Sequence, residues 1–272
     1  MDTRLRTGLC SVTYRDVPAP TLVALAAGAG LRAIEWGADV HAPPGDLAAL
    51  HRLRDLGLAH GLAVASYGSY FRAGTQGVED FKPVLAAALA LGAPRIRIWA
   101  GSLGSADADR GVVREVVRQS RGAARLAADH GLHLGFEFHR GTLTDTVEST
   151  AMLLDAVAEP NVWTYWQPPV DADVADAVAG LVALTERVCA LHVFSWWPGV
   201  QRQPLAARRD LWQRVFAVAA GRDWDALLEF VPGDDPNLLG REAASLREMI
   251  EADPSVRRVK ARQALELRKP VR

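Results

Sequence analysis

Short apolar runs alternate with longer amphipathic stretches eight times along this chain. The runs fall near 6–12, 32–37, 62–67, 95–100, 133–139, 162–167, 188–194 and 225–231. Runs of this length, apolar on both faces, are what strands of a covered parallel sheet look like. Ala- and Leu-rich stretches with helical spacing lie between them, for example 21–29, 46–59, 81–91, 112–130 and 206–220. Gly30, Gly61, Gly92, Gly131 and Gly221 each follow such a stretch, where a helix C-cap is expected. Prolines fall at segment edges or in loops, and Pro83 is placed in the first turn of its helix.

Eight strand–helix units of roughly 30 residues each predict an α/β fold, a (β/α)8 TIM barrel, as a single domain over 1–252. An open doubly wound sheet usually has fewer strands and carries a Gly-rich phosphate turn after the first one. Here the first strand runs into SVTYRDVP, with no such turn, so no nucleotide cofactor site is expected.

The whole chain has 272 residues, 49% of them hydrophobic, enough for a large core. Its net charge of -1 excludes the cationic surplus of a nucleic-acid binder. The stretch 253–272 is basic and is read as a solvated C-terminal helix or tail. The two cysteines, Cys10 and Cys189, fall in or beside buried strands and are read as free thiols. No window reaches the roughly 20 apolar residues of a membrane span, and no secretory signal opens the chain. A cytoplasmic protein without a membrane partner is therefore expected.

The candidate chemistry sits at the ends of four successive strands: Glu137 in HLGFEFH, Gln167 in VWTYWQPP, His192 in CALHVFSW and Glu229 in ALLEFVP. In a parallel barrel these ends meet on one face. If Phe136 and Phe138 pack on helices, Glu137 and His139 point into the mouth. The same parity pairs Tyr165 with Gln167, Ala190 with His192 and Phe194, and Leu227 with Glu229. Two carboxylates, an imidazole and an amide oxygen suit Mn²⁺, Mg²⁺, Co²⁺ or Zn²⁺. Such an ion would polarise a substrate carbonyl, and Glu137 and Glu229 would move a proton on either side of the substrate. His139 is a further candidate for proton transfer, against a structural role at a strand end.

Other residues are candidates for contact with substrate. Glu35 either touches it or forms a salt bridge at the barrel rim. In RIRIWAG, Arg97 is placed inside the barrel, where it neutralises Glu35 or a nearby carboxylate, and Trp99 is placed at the mouth. Tyr67, Tyr70 and Arg72 suit hydroxyls or an anion. Trp166, Trp196 and Trp197 suit the apolar face of a sugar ring. Ser11, Tyr14 and Arg15 are weaker candidates of the same kind.

The eight units, the EFH closing strand five, the His of strand seven and the Glu of strand eight together resemble the xylose isomerase-like TIM barrel superfamily. This group of sugar phosphate isomerases and epimerases includes ketose 3-epimerases, inosose dehydratases and endonuclease IV. The resemblance covers about residues 5–250. It implies a metal held by Glu137, Gln167, His192 and Glu229. Three positions depart from the family pattern: Gln167 replaces its usual Asp, and Val170 and Ser195 stand where a His and an Asp are common. The expected function is a metal-dependent isomerase or epimerase acting on a carbohydrate or polyol. A lyase or dehydratase on a keto-polyol is the first alternative, and a non-catalytic sugar-binding barrel the second. Small-molecule substrate, a divalent metal ion and homo-oligomer formation are the partners expected.

Overall fold

The computed structural model describes residues 5–252, so the basic stretch expected over 253–272 lies outside the described residues. Eight parallel strands close into a barrel: β1 (Arg6–Cys10), β2 (Ala33–Gly37), β3 (Ala63–Arg72), β4 (Arg95–Trp99), β5 (His133–Phe136), β6 (Val162–Trp166), β7 (Val188–Val193) and β8 (Asp225–Leu228). Each pairs with its neighbours in sequence, and β8 returns to β1 through the pairs from Arg6↔Asp225 to Leu9↔Leu228. The helices are α1 (Ala19–Gly28), α2 (Leu47–Ala59), α3 (Val78–Leu91), α4 (Arg110–Ala128), α5 (Val147–Val157), α6 (Val174–Leu184), α7 (Arg209–Ala219) and α8 (Leu239–Glu251). Among the described residues, no helix is long and apolar enough to cross a membrane.

The helices start and stop on local chemistry. Side chains of Asp46, Asp109, Thr146 and Asp173 accept backbone N–H bonds from the first turns of α2, α4, α5 and α6. Gly92 ends α3 in the left-handed conformation, with φ 68°. α3 begins at Val78, three residues before the expected start. The reason is a cap: the Asp80 carboxylate accepts the Gly77 N–H at 2.8 Å. Pro83 therefore lies inside the helix rather than in its first turn.

Two apolar layers form the core. The outer one lies between strands and helices and contains Trp36, Tyr67, Phe81, Phe136, Trp166 and Trp212. The inner one fills the barrel with Cys10, Val12, Ala33, Ala65, Tyr165, Ala190 and Leu227. An ion-paired plug closes the N-terminal end, where Asp225 takes Arg6 at 2.6 Å and also pairs with Arg95. Small residues inside leave space for polar groups at the other end.

Strand ends differ from the expected bounds where the site begins. β1 stops at Cys10 and gives way to a 3-10 turn over Ser11–Tyr14. β5 and β8 stop one residue before Glu137 and Glu229. Both carboxylate residues remain hooked to a neighbouring strand: Glu137 N–H donates to Ile98 and Glu229 N–H to Val193, each at 3.0 Å. A two-stranded ribbon, Ser195–Trp196 against Arg202–Gln203, rises after β7. A 3-10 turn over Leu205–Arg208 separates it from α7, so the helix expected over 206–220 begins at Arg209.

Candidate active site

The parity of the strands places the polar groups. Inward positions on β2, β3, β4 and β7 are Glu35, Ser66, Gly68, Arg97 and His192, all buried apart from the glycine's missing side chain. Glu137, Gln167 and Glu229 join them from just beyond β5, β6 and β8. Behind Glu137 the chain doubles back: Thr144 Oγ1 donates to the Glu137 carbonyl at 2.6 Å, and Thr142 Oγ1 to that of His139 at 2.7 Å.

His192 is the hub. Its Nδ1 is 3.1 Å from Gln167 Oε1 and 3.4 Å from Glu229 Oε2, and its Nε2 is 3.6 Å from Glu35 Oε1. Tyr165 packs edge-on against the ring, with centroids 5.0 Å apart. Glu35 also accepts from Ser66 Oγ at 2.6 Å and faces Arg97 Nε at 3.5 Å. Arg97 Nη1 pairs with Glu137 Oε2 at 2.9 Å, off the axis of a hydrogen bond.

Burial and charge set the protonation. Burial pushes the Glu229 carboxyl up to about 7; His192 opposes the rise and Glu137 adds to it. Burial would lower the His192 imidazole, but Glu229 and Glu35 hold it above its ordinary value. Burial would raise Glu35, yet Arg97, His192 and Ser66 keep it well below the usual carboxylate range.

A divalent cation fits these donors. If Nε2 of His192 carries its proton towards Glu35, the Nδ1 lone pair meets the lone pairs of Gln167 and Glu229 at 3.1 and 3.4 Å. Such a meeting needs a proton or a cation at its centre. A carboxylate behind a ligating imidazole is the usual support for a metal-bound histidine. Three buried carboxylates against one guanidinium also leave two negative charges, which a divalent ion cancels. Glu229 Oε2 and His192 Nε2 have no hydrogen-bond partner among the described residues.

Cys10, Glu35 and His192 also bring donor atoms within 4.8 Å of one another. We discount that trio as a metal site. Ser66 already holds one Glu35 oxygen at 2.6 Å, and the oxygen donors of Gln167 and Glu229 face the other ring nitrogen of His192.

A cavity of about 270 Å³ opens above the hub. Glu137, His139, Arg140 and Gln167 line it from the β5 and β6 ends; Phe194, Trp196 and Phe230 line it from the β7 and β8 ends. Phe138, Asp145, Pro168, Pro169 and Val170 complete that lining, which does not include Glu229. The three aromatic rings pack with centroids 4.8 to 5.6 Å apart. His139 Nδ1 donates to the Arg140 carbonyl at 2.6 Å, which fixes its tautomer and leaves Nε2 as an acceptor. Trp99 stacks between His139, at 4.6 Å, and the Arg72 guanidinium, at 4.0 Å.

Several expected substrate contacts lie elsewhere. Tyr67 and Trp166 point outward, as the neighbours of inward Ser66 and Tyr165 must. Tyr67 is fully buried, with its hydroxyl donating to the Ala42 carbonyl at 2.8 Å. Trp166 is fully buried against Trp212 of α7. Glu35 is buried beside His192 Nε2 and does not line the cavity. Ser11 accepts the Gly37 N–H, and Arg15 pairs with Asp39 and Tyr70. Trp197 lies under Arg208 outside the cavity, and both cysteines are free. Phe194 and Phe230 were not singled out as contacts. Phe194 shares the parity of His192; Phe230 reaches the cavity through a left-handed residue, φ 51°, that EFVP does not announce.

A model of the xylose isomerase-like TIM barrel family matches residues 23–169. The chain belongs to that family. A 3-dehydroshikimate dehydratase of Bacillus anthracis is 37% identical over 87 residues, which is 29% of this chain and 31% of the relative, so under a third of the relative's length is matched. A crystal structure of the probable 3-dehydroshikimate dehydratase AsbF, involved in petrobactin synthesis in Bacillus anthracis, superposes with a TM-score of 0.76 at 21% identity, over 89% of this chain and 99% of that one. A D-psicose 3-epimerase of Clostridium cellulolyticum gives 0.71 at 15% identity, over 90% and 99%. These likenesses agree on the barrel and divide between a lyase and an epimerase.

Proposed function

We propose that this protein is a divalent-metal-dependent lyase that dehydrates a cyclic keto-polyol by removing a proton next to its carbonyl. The observation that carries the reading is the meeting of His192 Nδ1, Gln167 Oε1 and Glu229 Oε2 beneath a cavity whose polar groups all come from one side. Gln167, His192 and Glu229 would hold the ion, with Glu137 beside them. A bound Mn²⁺, Co²⁺, Mg²⁺ or Zn²⁺ would polarise the substrate carbonyl there.

The chain's own groups then divide the work. Phe194, Trp196 and Phe230 take one face of the substrate ring and exclude water. His139 Nε2, free to accept, removes the proton from the carbon beside the carbonyl. The carbon–oxygen bond at the next carbon breaks, and the leaving hydroxyl takes that proton from His139 and departs as water. Glu137 accepts a hydrogen bond from a substrate hydroxyl and fixes the ring. An epimerase needs a second acid–base group on the opposite face, and the aromatic wall offers none. The dehydratase likenesses support the same choice.

An isomerase or epimerase is the second reading. It draws on the same three donor atoms and requires Glu229 to reach substrate. Product mass separates the two. With Mn²⁺ and 3-dehydroshikimate, the compound the dehydratase relative is named for, we expect a product lighter by one water. His139→Gln should lower kcat by roughly 10²–10⁴-fold. A product of unchanged mass, from this compound or from ketoses, would establish the epimerase instead.

A further inference from the structure

Trp99 closes β4, yet it is absent from the lining of the cavity. Its indole lies against the His139 imidazole, with centroids 4.6 Å apart, and against the Arg72 guanidinium, 4.0 Å from the ring centroid. The indole N–H has no hydrogen-bond partner among the described residues, so packing sets the ring plane. An irregularity in the strand ladder brings Arg72 to this place. β3 advances from Gly68 to Arg72 while β4 advances only from Arg97 to Trp99, and Arg72 and Trp99 then face each other. Irregularities of this kind re-aim side chains beside active sites. The Ala73 N–H donates to the Trp99 carbonyl at 3.0 Å and locks the two strands together there.

Arg72 is held without an acid. Its Nη1 donates to the Gly101 carbonyl at 3.1 Å and its N–H to Gln76 Oε1 at 2.7 Å, and no carboxylate pairs with it among the described residues. A guanidinium placed this way over an indole is attracted to the ring's negative face. His139 is tethered by its backbone: its N–H donates to the Thr144 carbonyl at 3.0 Å, and its own carbonyl accepts from Thr142 Oγ1 at 2.7 Å. Rotation of the imidazole about its side-chain bonds is left to be restrained. Two contacts restrain it, the Nδ1–H bond to the Arg140 carbonyl at 2.6 Å and the Trp99 ring.

We infer that Trp99, backed by Arg72, is a positioning residue for His139: it holds the imidazole where Nδ1–H stays on the Arg140 carbonyl and Nε2 faces the cavity. This rests on the reading of His139 as the base and goes beyond it. Trp99 acts on the substrate only through His139, because the cavity wall does not include it. Its loss frees the ring to turn, so the bond to Arg140 opens and Nε2 ceases to be the one acceptor. The same loss leaves Phe194, Trp196 and Phe230 in place, so substrate binding stays as it is.

Two readouts on the full chain test this. The first is the long-range ¹H–¹⁵N correlation spectrum of the chelator-treated protein at alkaline pH, with the His139 signals assigned by their loss in His139→Gln. Wild type should show the Nδ1–H tautomer alone, and Trp99→Leu a mixture of both. The second is steady-state kinetics with Mn²⁺ and 3-dehydroshikimate. Trp99→Leu should lower kcat by about 10²-fold, the effect of a misplaced catalytic group, with KM within about twofold of wild type. Trp99→Phe should restore most of the loss. Arg72→Met should shift both readouts the same way by a smaller amount, and it carries the test if Trp99→Leu does not fold. A Trp99 that only stabilises the barrel would reduce the folded fraction and leave the tautomer alone. An unchanged tautomer in both variants would overturn the inference, as would a raised KM with wild-type kcat, which would make Trp99 a substrate contact. No turnover by wild type would sink the dehydratase reading instead, and the tautomer would still decide whether Trp99 positions His139.

Discussion

At the scale of single residues, the site is a problem of charge. Glu229 has a carboxylate oxygen without a hydrogen-bond partner, and burial raises its pKa to about 7 from an ordinary 4.5. The folded chain therefore binds this proton more readily than the unfolded chain. Its contribution to stability is complete below about pH 4.5 and is lost as pH rises towards about 7. His192, also raised, acts with the same sign at higher pH. We expect the melting temperature of chelator-treated protein to fall over that window. Glu229→Gln should flatten this slope; an equal slope in the variant would mean that another group titrates. Strand parity made Glu137, His139, Gln167, His192 and Glu229 legible in the sequence, because each alternates with apolar residues such as Phe136, Phe138, Trp166, Leu191 and Leu228 that pack outward on the helices. Tyr67 and Trp166 are expected at the mouth from their aromatic character and their place near strand ends, and the structure turns both outward. The direction in which each polar group turns was not legible, because it depends on Arg97 and Ser66 from strands far away in the chain.

At the scale of elements, strands and loops divide the tryptophans by role. Trp166 of β6 is fully buried between the barrel and α7. Trp196, on the ribbon after β7, forms the cavity wall with Phe194 and Phe230. Trp166→Ala should cost roughly 3–5 kcal/mol of stability, with the substrate KM of the folded fraction unchanged. Trp196→Ala should leave stability within about 1 kcal/mol and raise KM, because its ring is only partly buried. Denaturant unfolding and steady-state kinetics read the two effects separately, and the reverse pattern would refute this assignment. Eight strands, and helices ending at glycines, could be read from hydrophobic period and stop signals. The ribbon, the 3-10 turns and the early start of α3 could not. They depend on a cap such as Asp80 or on pairing between loop segments, and neither leaves a period in the sequence.

At the scale of the whole molecule, the barrel has two polar ends. The N-terminal end is closed by the Asp225 carboxylate between the Arg6 and Arg95 guanidiniums, which leaves a positive surplus. In the buried cluster at the C-terminal end, Glu35, Glu137 and Glu229 surround Arg97 and His192. The two ends therefore carry opposite surpluses, and the negative one is the end that suits a cation. A crystal soaked in Mn²⁺ and measured at the manganese absorption edge tests this directly. The account requires one anomalous peak bounded by Gln167, His192 and Glu229. An absent peak, or one lying between Cys10, Glu35 and His192, would contradict it.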